Sequence, residues 1–184
     1  MSDEAHAISK RRVYTGRVVS LDVDTVRFPN GAVGELEMLR HSGASAVVPF
    51  LDDRKSEDPR VLLIRQYRYA TEGVIYEIPA GRLEPGEEPK ACAIRELREE
   101  TGYEARDVGF LTTFYTTPGF TDERIHIFIA DAVNPGNRAL EADEIVELCP
   151  VPLSEAMELI RTGGIVDGKT IIGLLFCARF GRFG

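Results

Sequence analysis

The sequence predicts an α/β protein, a mixed sheet flanked by helices, preceded by a small antiparallel β extension. Three observations carry that expectation. Short alternating apolar runs recur on both sides of one sharply bounded helix, the pattern of strands around a packed helix. Pro89 suits the first turn of that helix and Gly102 its stop, which sets its span at 89–101. The cluster Pro29, Asn30, Gly31 marks a hairpin turn near the N-terminus.

The chain of 184 residues is long enough for one domain with a real core and a short extension. Its apolar content of 43% and charged content of 28% are ordinary for a soluble globular protein. No apolar run approaches the roughly 18 residues needed to span a bilayer. The first residues, MSDEAHAISKRR, lack the apolar core of a secretory signal. Cys92, Cys149 and Cys177 are odd in number and share no metal-ligand spacing; they read as buried, reduced thiols of a cytoplasmic protein. The net charge of −8 argues against nucleic acid as a partner. An anionic small substrate remains compatible, because a bound cation reverses the local field.

In chain order, residues 1–10 are polar and read as a disordered tip. Residues 12–19 and 22–28 alternate as strands, and 32–40 is the returning strand after the hairpin turn. Residues 1–42 thus form the β extension, and 43–184 the main domain. In the latter, 45–51 and 61–66 are apolar strands around a charged loop, and 76–79 leads into the helix region. Strands follow at 108–115, 124–130 and 145–152, with a polar loop expected to be mobile at 134–144. Ser154 suits the N-cap of a helix reaching Arg161, stopped by Gly163 and Gly164, and an apolar helix at 170–179 closes the chain.

The chemistry concentrates in GRLEPGEEPKACAIRELREETGY, residues 81–103. On a helix, Glu96, Glu99 and Glu100 fall within one turn, while Ile94 and Leu97 project from another sector, available to pack on a sheet. Like charges that close destabilise a helix. A hard cation held by carboxylate oxygens compensates them, and Mg²⁺ or Mn²⁺ suits oxygen-only ligation. A solvated acidic face, the common fate of a charge run, would explain the charge but not the spacing of Gly81, Arg95 and Gly102.

These residues resemble the Nudix box, Gly-x5-Glu-x7-Arg-Glu-U-x-Glu-Glu-x-Gly-U, where U is bulky and apolar. Gly81, Glu87, Arg95, Glu96, Leu97, Glu99, Glu100 and Gly102 all match, and Tyr103 departs from the usual aliphatic residue. The resemblance implies the Nudix α/β/α sandwich. It further implies that Glu96, Glu99 and Glu100 ligate metal together with the backbone carbonyl of Ala80. Arg95 orients Glu99 from behind, and Glu87 either ligates or holds the loop.

Three more stretches, LLIRQYRYA with YEIPAG, the Pro118 loop YTTPGFTDER, and IVDGKTIIGLL, resemble the ADP-ribose pyrophosphatases of that family. Pro118 alone would read as an ordinary loop proline. The likeness implies hydrolysis of ADP-ribose to AMP and ribose 5-phosphate, in a homodimer whose N-terminal strands are exchanged between subunits. Another nucleoside diphosphate sugar, such as GDP-mannose or a UDP-sugar, is the alternative substrate. A non-catalytic ligand sensor is the alternative class, though it would not need the full carboxylate set. Arg68 matches a substrate-binding arginine; Arg65, three residues earlier, is the other candidate substrate contact but points to the opposite strand face, so one of the two is structural. Glu123 matches a carboxylate on the terminal ribose, or else pairs with Arg124 at the surface. The general base is expected from the loop after the third strand, at Glu141 with Glu144 close behind. Glu99 in the box is the alternative base, and solvated loop charge the alternative role for Glu141, Asp143 and Glu144.

Overall fold

A computed structural model of the chain describes residues 6–140 and 145–180. The chain begins with β1 (His6–Thr15), β2 (Ser20–Arg27) and β3 (Val33–Arg40), a three-stranded antiparallel sheet in that order. The expected disordered tip is in part a strand: His6 pairs with Arg27 and Lys10 with Asp24. Backbone pairing to β2 orders a segment whose side chains carry no amphipathic signal. Gly31, at φ 85°, closes the β2–β3 turn.

One face of β2 buries Asp22 and Asp24 beside Val26. Buried carboxylates need partners, and Arg40 supplies them, bonding Asp22 at 3.2 Å, Asp24, and Asp122 at 3.3 Å. Arg12 also bonds Asp22 and, against burial, holds its carboxyl below the usual range. Residues 114–124 join this group, with Leu39 N donating to Phe120 O at 2.8 Å and Asp122 N to Leu39 O at 3.3 Å. Residues 1–43 and 114–124 form one compact unit.

The second compact unit comprises residues 44–113 and 125–184. Its strands β4 (Ala44–Phe50), β5 (Arg60–Arg68), β6 (Gly73–Glu77) and β7 (Ala80–Arg82) precede helix α1 (Pro89–Thr101). Then come β8 (Glu104–Tyr115), β9 (Arg124–Val133), β10 (Val146–Pro152), α2 (Leu153–Thr162) and α3 (Gly168–Phe180). The seven-stranded sheet runs β10-β5-β4-β9-β8, with β6 on β5 and β7 on β4. It is mixed, since β4 and β9 are parallel and the β5 pairings are antiparallel. β4 and β5 share only the pair Phe50 and Val61 before they part. β7 then lines β4 and β6 lines β5, so a fork opens in the sheet.

Helices cover both faces. Val47, Phe128 and Ala130 pack with Ala93 and Leu97 of α1. The neighbouring Val48 and Ile127 lie close to Gly173 of α3. Successive strand residues face opposite ways, so α1 and α3 lie on opposite faces of the sheet, a three-layer sandwich. A side chain at Gly173 would come within 2.9 Å of Val48, so the glycine lets α3 close on the sheet.

Three sequence expectations change here. Ile94 is exposed, and Ala93, one turn before Leu97, takes the packing role beside it. Ser154 is not the cap of α2. The cap position is Pro152, and Asp58 accepts from Ser154 N at 2.9 Å and Oγ at 2.7 Å. α3 starts at Gly168, two residues before the expected Thr170, because the Asp167 carboxylate caps it, accepting from Thr170 N at 3.0 Å.

Candidate active site

Two residues of the local sequence place α1. Pro89 opens it, and Gly102, at φ 79°, ends it, its N donating to Arg98 O at 2.9 Å. A side chain at Gly102 would lie 2.4 Å from the carbonyl oxygen of Gly136, so the glycine admits the next loop as well. That loop is held at its first half: Gly136 N donates to Gly102 O at 2.8 Å and Ala139 N to Glu99 O at 2.9 Å.

On α1, Glu96 and Glu100 are buried, one turn apart and turned toward β7. Glu100 Oε2 accepts from Ala80 N at 3.1 Å. Glu96 lies so close to Gly81 that a Cβ there would stand 1.8 Å from Oε1. Arg95 gathers the other carboxylates, reaching Glu87 at 2.9 Å through both Nε and Nη2, Glu96 at 2.6 Å and Glu99 at 3.1 Å. The Arg95 hydrogen bonds outweigh burial and hold the Glu87 carboxyl down at about 2. The same bonds raise Arg95, against its own desolvation. Behind them Cys92 is buried, and desolvation with the Glu87 charge pushes its thiol up to about 12.

The box residues Gly81, Glu87, Arg95, Glu96, Glu99 and Glu100 therefore come together, with Ala80 alongside. The oxygen donors brought together are carboxylates, the hard kind that suits a divalent cation, with Glu96 and Glu100 buried against β7. Among the described residues, no group of three or more His, Cys, Asp or Glu side chains is arranged so that it could hold a metal ion. Arg95 is the cation that Glu87, Glu96 and Glu99 share.

Arg68, at the end of β5, forks onto Glu77 of β6, with Nε to Oε1 at 2.7 Å and Nη2 to Oε2 at 2.9 Å. Lys169 of α3 adds Nζ to Glu77 Oε2 at 2.5 Å. Burial pushes Glu77 up, but Arg68 and Lys169 outweigh it, and its carboxyl sits below the ordinary value. Arg65 lies on the other side of β5, bonded to Glu147 at 2.9 Å and stacked over Tyr76 at 5.5 Å. Glu123 belongs to the N-terminal unit, where it accepts from Thr116 Oγ1 at 2.9 Å and meets His41 Nδ1 at 3.3 Å. Glu141, Asp143 and Glu144 lie outside the described residues.

Glu77 and Lys169 were not singled out in the sequence. The only signal was an isolated glutamate between Tyr76 and Ile78 in an apolar stretch, which asks for a buried cation. Cys149 is only half-buried, unlike Cys92 and Cys177, and among the described residues none of the three is in a disulfide. Among the described residues no helix is long and apolar enough to cross a membrane.

A helix–sheet–helix sandwich with the box carboxylates on α1 and in the loop just before it defines a Nudix pyrophosphohydrolase. Residues 40–171 match the NUDIX domain, and the chain belongs to that family. Over 175 residues it is 40% identical to an ADP-ribose pyrophosphatase of Bacillus subtilis (strain 168), covering 94% of this chain and 92% of the relative. A methanol dehydrogenase activator of Bacillus methanolicus is 41% identical over the same shares. A crystal structure of an ADP compounds hydrolase superposes with a TM-score of 0.80 and 23% identity. That superposition covers 96% of this chain and 94% of that one, and it is a likeness of fold.

Proposed function

We propose that the protein hydrolyses the diphosphate of ADP-ribose with Mg²⁺, water adding to one phosphorus to give AMP and ribose 5-phosphate. The observation that carries this reading is the buried pair Glu96 and Glu100 lying against Ala80 and Gly81. The full-length similarity to a pyrophosphatase of that name supports the substrate. Glu96, Glu99, Glu100 and the Ala80 carbonyl would hold the metal, with Mn²⁺ as a substitute. Bound there, it would neutralise phosphate oxygens and lower the pKa of water. Arg95 sets the angle of Glu96 and Glu99, and Glu87 fixes Arg95 rather than ligating. Arg68 meets the diphosphate through the Nη1 end that Glu77 does not engage. Arg65, tied to Glu147, is structural, and Glu123 contacts the terminal ribose.

Glu141 takes the proton from the attacking water, with Glu144 secondary. The Ala139 bond to the end of α1 supports this, because it anchors the loop next to the box helix. We further read the protein as a cytoplasmic homodimer that exchanges residues 1–42 and binds no nucleic acid. Released phosphomonoester, measured across ADP-ribose, GDP-mannose and UDP-sugars with Mg²⁺ or EDTA, tests the reading. ADP-ribose should be turned over fastest and only with metal. Turnover unaffected by EDTA, or none with any of the panel, overturns it.

A further inference from the structure

We infer that Lys169 is a positioning residue for substrate, because it shares the buried Glu77 carboxylate with Arg68 and so preserves the positive field that Arg68 presents. The inference rests on the reading of Arg68 as a diphosphate contact. Glu77 is 2% exposed and takes bonds from both cations, through Nε at 2.7 Å, Nη2 at 2.9 Å and Lys169 Nζ at 2.5 Å. Lys169 Nζ also stands 3.1 Å from Asp167 Oδ1. The side chains of Glu77, Lys169 and Asp167 are 2%, 12% and 17% exposed, whereas that of Arg68 is 42% exposed. Arg68 is therefore the member through which this cluster meets a ligand.

The charges of the four side chains sum to zero. Without the Lys169 charge, Glu77 and Asp167 would be two carboxylates set against one guanidinium. An approaching diphosphate would then face a net negative site, with Glu100 close enough to add to it. The fold fixes Lys169 at this point. Asp167 caps α3 through Thr170, and Thr170 Oγ1 in turn accepts from the buried Ile78 N at 2.8 Å. Gly173, one turn on, brings α3 down onto Val48 and Ile78. Lys169 is thus held between the helix cap and the strand that carries Glu77, with little rotamer freedom to lose.

The test is a double-mutant cycle of Lys169→Gln and Arg68→Ala, read as KM and kcat on the panel substrate that the wild type turns over fastest. Binding of the same substrate in EDTA gives a second readout. Lys169→Gln should raise KM and Kd about 10-fold to 100-fold with kcat within about threefold. Lys169→Arg should restore most of the loss, and Lys169→Gln should add little in the Arg68→Ala background. A Lys169→Gln effect of equal size in both backgrounds overturns the inference, since Lys169 would then act without Arg68. Normal KM in Lys169→Gln, with a raised KM in Arg68→Ala, overturns it while leaving the Arg68 reading intact. Normal KM in Arg68→Ala overturns both. Far-UV circular dichroism melts accompany each variant, and the partner Lys169→Arg keeps the comparison valid if Lys169→Gln is unstable.

Discussion

Gly81 is a glycine because a carboxylate occupies the space where a side chain would stand. With alanine there, a Cβ at 1.8 Å from Glu96 Oε1 forces that carboxylate off the strand. We expect Gly81→Ala to cut kcat about 100-fold, since small displacements of a reacting constellation cost that much; unchanged kcat would show that Glu96 needs no such seat. Glu100→Gln removes a charge that burial disfavours, so its Tm in EDTA should equal or exceed the wild type while turnover falls by orders of magnitude. Near-normal turnover of that variant would remove Glu100 from the metal set. At this scale the box was legible, because α1 converts its spacing directly into proximity. Glu77 was not, because its partner Lys169 lies 92 residues away and only the fold brings them together.

The elements owe their ends to partners as much as to their own residues. The loop before α1 is fastened by Glu87, whose carboxylate receives Arg95 and the Glu84 N at 3.0 Å. Its pKa is held at about 2, below the ordinary 4.5. A carboxyl lowered by folding adds stability that is fully present above 4.5 and is lost as pH falls toward 2. In EDTA, Tm should therefore fall between pH 4.5 and 2 more steeply in the wild type than in Glu87→Gln. Parallel Tm–pH curves would remove Glu87 from that role. α1 was read correctly from Pro89 and Gly102, whose effects are local. The start of α2 was not, because the carboxylate bonded to its first turn, Asp58, comes from the β4–β5 loop 96 residues earlier; its stop at Gly163 was.

For the whole molecule, the alternation of apolar residues was enough to expect a mixed sheet between helices, since each strand shows its own faces. The forked pairing around β6 and β7 left no such trace, and neither did the first half of β1, a strand whose ten positions are all exposed. Ile8, Val13 and Tyr14 on that strand are 50%, 51% and 59% exposed. Removal of residues 1–40 should yield a monomer or aggregate with poor kcat/KM, read by sedimentation and steady-state kinetics; a monomer with wild-type kcat/KM would show that the extension serves neither assembly nor substrate. The fork has a consequence of its own. Ala80 and Gly81 hang from β4, whereas Arg68 and Glu77 belong to β5 and its partner β6. On the function proposed above, the seat of the metal-holding carboxylates and the contact to the diphosphate would thus be mounted on separate prongs that share one residue pair, Phe50 and Val61. A shift of one prong against the other would then change the distance between metal and diphosphate without disturbing the pairings within either.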